Sequence, residues 1–157
     1  MTLRRSDQSI PLGFYRQGVS YYSAAAELHN IEKFLLPKVT LLTFSIECLL
    51  KALIYLDKAD DKAIQKHNLI NLYAKLGKQH IQKIKEEFDK SRSVKFRNIL
   101  EQHQQHFIDS RYWFIDIHTR DNDGMYKREE HSFSFNIGEL EEVVEYLIKY
   151  LSSYSNR

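Results

Sequence analysis

The chain has 157 residues, 43% of them hydrophobic and 28% charged, with only 5 Gly and 2 Pro. This is one domain's length, enough to enclose a core without disulfide or metal staples, and too poor in turn residues for a β-rich architecture. A net charge of +2 excludes a domain that binds nucleic acid by bulk electrostatics, so any RNA contact must be local. The single cysteine, Cys48, excludes an intrachain disulfide and a cysteine-based zinc site and suits a reducing cytoplasm. With 10 Tyr and 9 Phe, some aromatic surface is expected in a groove or a subunit contact, and a homodimer is expected.

Residues 1–12 are polar, end near Pro11 and read as a loose N-terminal arm without the apolar core of a signal peptide. The spacing predicts a first helix from about Phe14 to His29, with Val19, Tyr22, Ala26 and His29 on one stripe. Pro37 marks the expected start of a second helix, whose Leu42, Ile46, Leu49, Leu50, Leu53 and Leu56 make it the most buried of the set. Its apolar run from Val39 to Leu56 contains Glu47 and Lys51, which argues against a membrane span. These two charges, one turn apart, are expected to form an exposed intrahelical pair.

Asp57 to Lys66 reads as a polar loop, and His67-Asn68-Leu69 as the opening of a short helix with Leu69, Leu72, Tyr73 and Leu76 periodic and Gly77 as its stop. Ile81, Ile84 and Phe88 form a charged amphipathic piece. From Val94 a long helix presents Phe96, Leu100, His103 and Phe107 to the core. After His118 the segment through Gly124 is turn-forming, and Tyr126 to Phe135 reads as an extended stretch or short hairpin. Asn136 caps the last helix, with Glu139 three residues on and Leu140, Val143, Val144, Leu147, Ile148 and Leu151 in one stripe. The whole is an all-α chain, an antiparallel bundle of four to five helices in a single domain over 1–157, with a short irregular or hairpin segment before the last helix.

The chemistry concentrates in Phe107 to His118. If that stretch is helical, Arg111 and His118 are two turns apart with roughly 20° of drift, so both leave one face and can share a small anionic ligand. Arg111 can hold a phosphate through its fork of donors, and His118 can move a proton near neutral pH. Tyr112, Trp113 and Arg120 lie beside them as substrate contacts, with Trp113 suited to base stacking. The competing reading packs Arg111 and Trp113 into the core or a dimer contact. A metal site from Glu101, His103 and His106 has no surrounding motif. No metal or cofactor is expected, and neither a Gly-rich phosphate loop nor an activated Ser or Cys nucleophile is present in the sequence.

Three pieces in order, Phe44-Ser-Ile-Glu-Cys-Leu-Leu-Lys-Ala-Leu-Ile, His67-Asn-Leu-Ile-Asn-Leu and Phe107-Ile-Asp-Ser-Arg-Tyr, resemble the HEPN superfamily of small helical domains over about three quarters of the chain. The resemblance implies a homodimeric bundle, frequently a toxin or antiphage ribonuclease that cuts RNA without metal. Active members carry an Arg, four to six residues and a His; here Arg111, six intervening residues and His118 fit at the upper limit. The position after the arginine, often polar in such enzymes, is Tyr112. A metal-independent endoribonuclease in a toxin-antitoxin or defence setting is therefore expected, with a shared Arg/His cleft in the dimer. A nucleotidyltransferase-type antitoxin is the partner that the resemblance implies. The alternative is a non-catalytic HEPN module that binds a partner protein or nucleotide.

Overall fold

The computed structural model describes residues 9–58, 65–104 and 136–154, and among them the chain is all-helical, with no strand. Helix α1 spans Ser9–Ala26 and α2 spans Ile31–Lys58. Leu69–Lys75 is α3, Lys78–Glu87 is α4 and a single 3-10 turn covers Asp89–Ser91. A further helix, α5, is described over 96–104, and α6 spans Ile137–Tyr154. The expected helical bundle is therefore present; the 119–135 segment, with its expected hairpin, lies outside the described residues.

Helix α2 is the hub. It packs on α1, α3 and α6, and Val39, Leu42, Ile46, Leu49, Leu50, Ala52 and Leu53 are all fully buried on it. A helix apolar on nearly every side must be enclosed by others. One stretch, Lys33–Asp57, is long and apolar enough to cross a membrane by length and composition, and 78% of its apolar window is buried inside the bundle, which is how a core helix sits. Helix α2 begins at Ile31, six residues before the expected start at Pro37. Asn30 supplies the cap, its Oδ1 accepting from the Lys33 amide at 3.1 Å. Pro37 leaves its mark as a kink instead: Phe34 has φ −117 and ψ 17, because the proline lacks an N–H and its ring crowds the carbonyl four residues back.

Helix α1 starts at Ser9, so residues 9–12 of the expected arm are helical and Pro11 is buried in the first turn. Its buried residues are Pro11, Gly18 and Ala25, a stripe rotated away from the expected Val19, Ala26 and His29. Gly18 sets this register. A Cβ there would stand 2.8 Å from Leu49 Cγ and 3.2 Å from the Ser45 carbonyl, and the Ser45 hydroxyl donates to the Gly18 carbonyl at 2.7 Å. The two backbones approach closely only where α1 has no side chain. Gly18 opposes Leu49 while Tyr21 stacks on Phe44 at 5.4 Å, so α1 and α2 run antiparallel.

Helix α6 closes the bundle through Leu140, Val143, Val144, Leu147 and Leu151, and its start is fixed by Asn136 Oδ1, which accepts from the Glu139 amide at 3.1 Å. Tyr15 meets Ser152 and Tyr22 meets Glu145, which makes α6 antiparallel to α1. Phe88 and Phe96 are buried edge-to-face at 5.2 Å, tying the end of α4 to α5. On α5, Phe96, Leu100 and His103 face the core as expected, and Phe107 lies outside the described residues.

Candidate functional site

Arg111, Tyr112, Trp113, His118 and Arg120 all lie outside the described residues. The other two pieces of the resemblance are described, and they meet. Glu47 and Lys51, expected on an exposed face, are buried at 5% relative exposure each. Being apolar on both flanks, α2 is surrounded, so even its polar positions are covered. Lys51 Nζ donates to Glu47 Oε1 at 2.7 Å. The same oxygen lies 2.9 Å from Nδ1 of His67, which stands just ahead of α3. An ionised carboxylate oxygen only accepts, so His67 Nδ1 carries the hydrogen of this contact. The His67 side chain is 61% exposed.

Local sequence explains this placement. Asn68 caps α3, its Oδ1 accepting from the Asn71 amide at 2.8 Å, and Leu69, Leu72 and Tyr73 seat the short helix in the core. His67 is thereby fixed one residue outside the cap, next to the middle of α2. Gln104, at the end of the described part of α5, accepts from the Ile70 amide at 3.1 Å through its Oε1. Gln104 thus stands beside the N-terminus of α3 and is seven positions before Arg111 in sequence. Glu47 Oε2 is buried and has no hydrogen-bond partner among the described residues.

Cys48 adjoins this cluster and is buried and free. Burial, and secondarily the Glu47 carboxylate, pushes its thiol up to about 11, against a smaller opposing effect of Lys51. Thiolate is the reactive form, so iodoacetamide at pH 7.5 should label native Cys48 about a hundredfold more slowly than a free cysteine. Mass spectrometry of native and urea-unfolded protein checks this: rapid native labelling would show an accessible, activated thiol instead.

A second polar cluster ties three helices together. Asp57 belongs to the last turn of α2 and not to a loop. Its Oδ2 lies 3.1 Å from Nε2 of the fully buried His80 on α4, and Nδ1 of His80 is 2.8 Å from the Tyr150 hydroxyl on α6. Gly77 makes room, since a Cβ there would collide with Asp57 Oδ2. It precedes α4 with φ −59, so it serves as a close-approach residue at the head of α4 and not as a left-handed stop for α3. Between α4 and α6 runs a groove of about 870 Å³ lined by Lys83, Glu87, Arg92, Glu142, Tyr146 and Lys149 among others. The sequence reading missed His80, because a lone histidine in a charged amphipathic piece gives no pattern.

Among the described residues no group of three or more His, Cys, Asp or Glu side chains is placed to hold a metal ion. Glu101 is exposed and accepts from Arg97 Nε at 3.0 Å, whereas His103 on the opposite side of α5 is fully buried; His106 lies outside the described residues. Comparison with known proteins gives no match: no protein-family model, no curated protein and no solved structure matches this chain.

Proposed function

We propose that the chain is a metal-independent endoribonuclease of HEPN type, acting in the cytoplasm as a homodimer in a toxin-antitoxin or defence setting. The observation that carries this reading is the contact between Glu47 and His67. Two of the three sequence pieces behind the resemblance, 20 residues apart in the chain, form one polar cluster, and Gln104 of α5 accepts from the Ile70 amide of the second piece. In this reading Arg111 holds the scissile phosphate and neutralises charge as the phosphorane forms, and His118 transfers a proton. Tyr112 and Arg120 contact the substrate, and Trp113 stacks on a base. The dimer brings two such pairs to one cleft, and a nucleotidyltransferase-type protein is its expected antitoxin.

The test uses single-stranded RNA in the presence of EDTA. The wild-type chain is expected to cleave it, and Arg111→Ala and His118→Ala, made separately, to lose cleavage and any growth toxicity by about 10²-fold or more while sedimenting as folded dimers. Cleavage at the wild-type rate in either variant removes that residue from the chemistry and overturns the reading. The alternative, a non-catalytic module that binds a partner protein or nucleotide, draws on the α4/α6 groove with Lys83, Arg92 and Lys149 beside Tyr146 and Tyr150. It is favoured if RNA stays intact while charge reversal at Lys83 and Lys149 abolishes binding of a nucleotide or of a co-expressed partner.

A further inference from the structure

We propose that His80 is a proton-operated switch at the wall of the α4/α6 groove: when its imidazole takes up a second proton, the hydrogen bond to Tyr150 reverses and the Tyr150 hydroxyl turns toward Tyr154. This switch does not depend on the ribonuclease reading. His80 is fully buried on α4, yet each of its ring nitrogens faces a polar group from another helix. Nε2 lies 3.1 Å from Asp57 Oδ2 in the last turn of α2, and Nδ1 lies 2.8 Å from the Tyr150 hydroxyl of α6. Neither Nε2 nor Asp57 Oδ2 has another hydrogen-bond partner among the described residues, so the two answer to each other.

Counting hydrogens gives two states. An ionised carboxylate only accepts, so the hydrogen between Asp57 and His80 sits on Nε2. A neutral imidazole has no second hydrogen; its Nδ1 then accepts, and the Tyr150 hydroxyl donates to it. The imidazolium carries a hydrogen on both nitrogens. Nδ1 becomes the donor, the Tyr150 oxygen accepts, and the hydroxyl's own hydrogen needs a new acceptor. A buried ring has no water to take a stranded hydrogen, so the uptake of one proton is answered along the line. Tyr154 is the neighbour placed to answer it: its ring packs on His80 at 5.6 Å and on Tyr150 at 5.5 Å, and its hydroxyl hydrogen-bonds with that of Tyr150.

The surroundings hold this line in register. Gln79 Nε2 donates to Asp57 Oδ1 at 2.7 Å, which fixes the carboxylate, and Gly77 leaves the space into which it reaches. Among the described residues, the titratable groups about His80 are Asp57 of α2, Tyr150 and Tyr154 of α6 and, on α4, Glu87, which acts through Tyr150. The Asp57 carboxylate balances the imidazolium charge in place. Tyr150 and Tyr154 both line the groove of about 870 Å³, together with Lys83 and Lys149, so the state of a core histidine sets hydroxyl directions on a surface of ligand size. With the Tyr150 hydrogen on its oxygen, Tyr154 donates outward, and an occupant that offers a phosphate or carboxylate oxygen there favours the charged His80 and takes up a proton as it binds.

NMR on the full-length chain, labelled with ¹⁵N in histidine and ¹³C at tyrosine Cζ, tests this in a titration from mildly alkaline pH down to the onset of acid unfolding. Neutral His80 is expected to hold its hydrogen on Nε2 alone. On acidification both nitrogens gain hydrogen, and the Tyr150 and Tyr154 Cζ signals move with the same midpoint as the imidazole. Tyr150→Phe keeps the edge-on ring contact with His80 but has no hydroxyl. Its His80 midpoint is expected to fall by about half a pH unit or more, because the charge-assisted bond lost by the imidazolium is stronger than the neutral bond lost by the imidazole, and Tyr154 is expected to stop responding. A neutral His80 protonated on Nδ1, tyrosine signals that ignore the His80 titration, or a His80 that stays neutral until the chain unfolds each overturns the switch. A folded Tyr150→Phe with the wild-type midpoint overturns it too; should that variant fail to fold, the wild-type spectra decide alone.

Discussion

Glu47→Ala is expected to destabilise the fold by about 3–5 kcal/mol, several times what a surface pair would cost. The substitution leaves the Lys51 ammonium, 5% exposed, without the carboxylate on which it sits at 2.7 Å, and a buried charge that loses its counter-ion carries the full desolvation penalty. Lys51→Met is expected to be costly for the mirrored reason. The double variant Glu47→Leu/Lys51→Met removes both charges and fills two buried positions with apolar side chains, so it should recover most of the loss, giving a coupling energy of about 2 kcal/mol or more in a double-mutant cycle. Urea midpoints at pH 7 for the four proteins check this. A Glu47→Ala variant within about 1 kcal/mol of the wild type would mean that the pair behaves as exposed.

The bundle was legible because its helices repeat the helical period with aliphatic residues. Leu42 to Leu53 on α2 and Leu140 to Leu151 on α6 are buried where the pattern places them, and Asn68 and Asn136 cap where a short polar residue precedes a periodic run. What the pattern could not reveal depends on neighbours from elsewhere in the chain. Glu47 and Lys51 look like a solvated pair because their four-residue spacing is the same whether the helix is covered or bare; only α1, α3 and α6 around α2 decide. Gly18 has no signature in the sequence and Gly77 reads as a stop, yet each marks a close approach to a distant residue, Leu49 and Asp57. The register of α1 follows from the first of these. His67 was quoted as part of a helix opening, and its hydrogen bond to Glu47 across 20 residues of sequence has no local signature. The resemblance quotes Glu47 and His67 within two separate segments, and the fold brings these two side chains into contact.

Stability should fall steeply above pH 10, and the tyrosines of α1, α3 and α6 are the cause. The Tyr22 hydroxyl donates to Glu145 at 2.5 Å, and this bond, then burial, pushes its pKa up to about 12. Burial, then the Glu87 carboxylate, raises Tyr146; burial, then the neighbouring Tyr154, raises Tyr150; and burial, then Asp89, raises Tyr73. A phenol whose folded pKa lies above its unfolded value holds its proton more tightly in the native state. Its stabilisation is complete below about pH 10, where both states are protonated, and is lost as pH rises toward the folded value, because the unfolded chain then binds fewer protons. Each tyrosine still protonated in the fold while ionised in the unfolded chain steepens the decline by at most about 1.4 kcal/mol per pH unit, less where solvent screens it, as at the half-exposed Tyr22. Urea unfolding at pH 8, 9.5 and 11 measures the decline, and absorbance at 295 nm should show part of the phenols ionising only as the protein unfolds. Tyr146→Phe and Tyr22→Phe should each flatten the alkaline limb, since phenylalanine has no proton to lose and, at 146, keeps the ring packing against Phe88 and Phe96. An alkaline limb of unchanged slope in both variants would place the titration responsible elsewhere, with the lysines the first groups to examine.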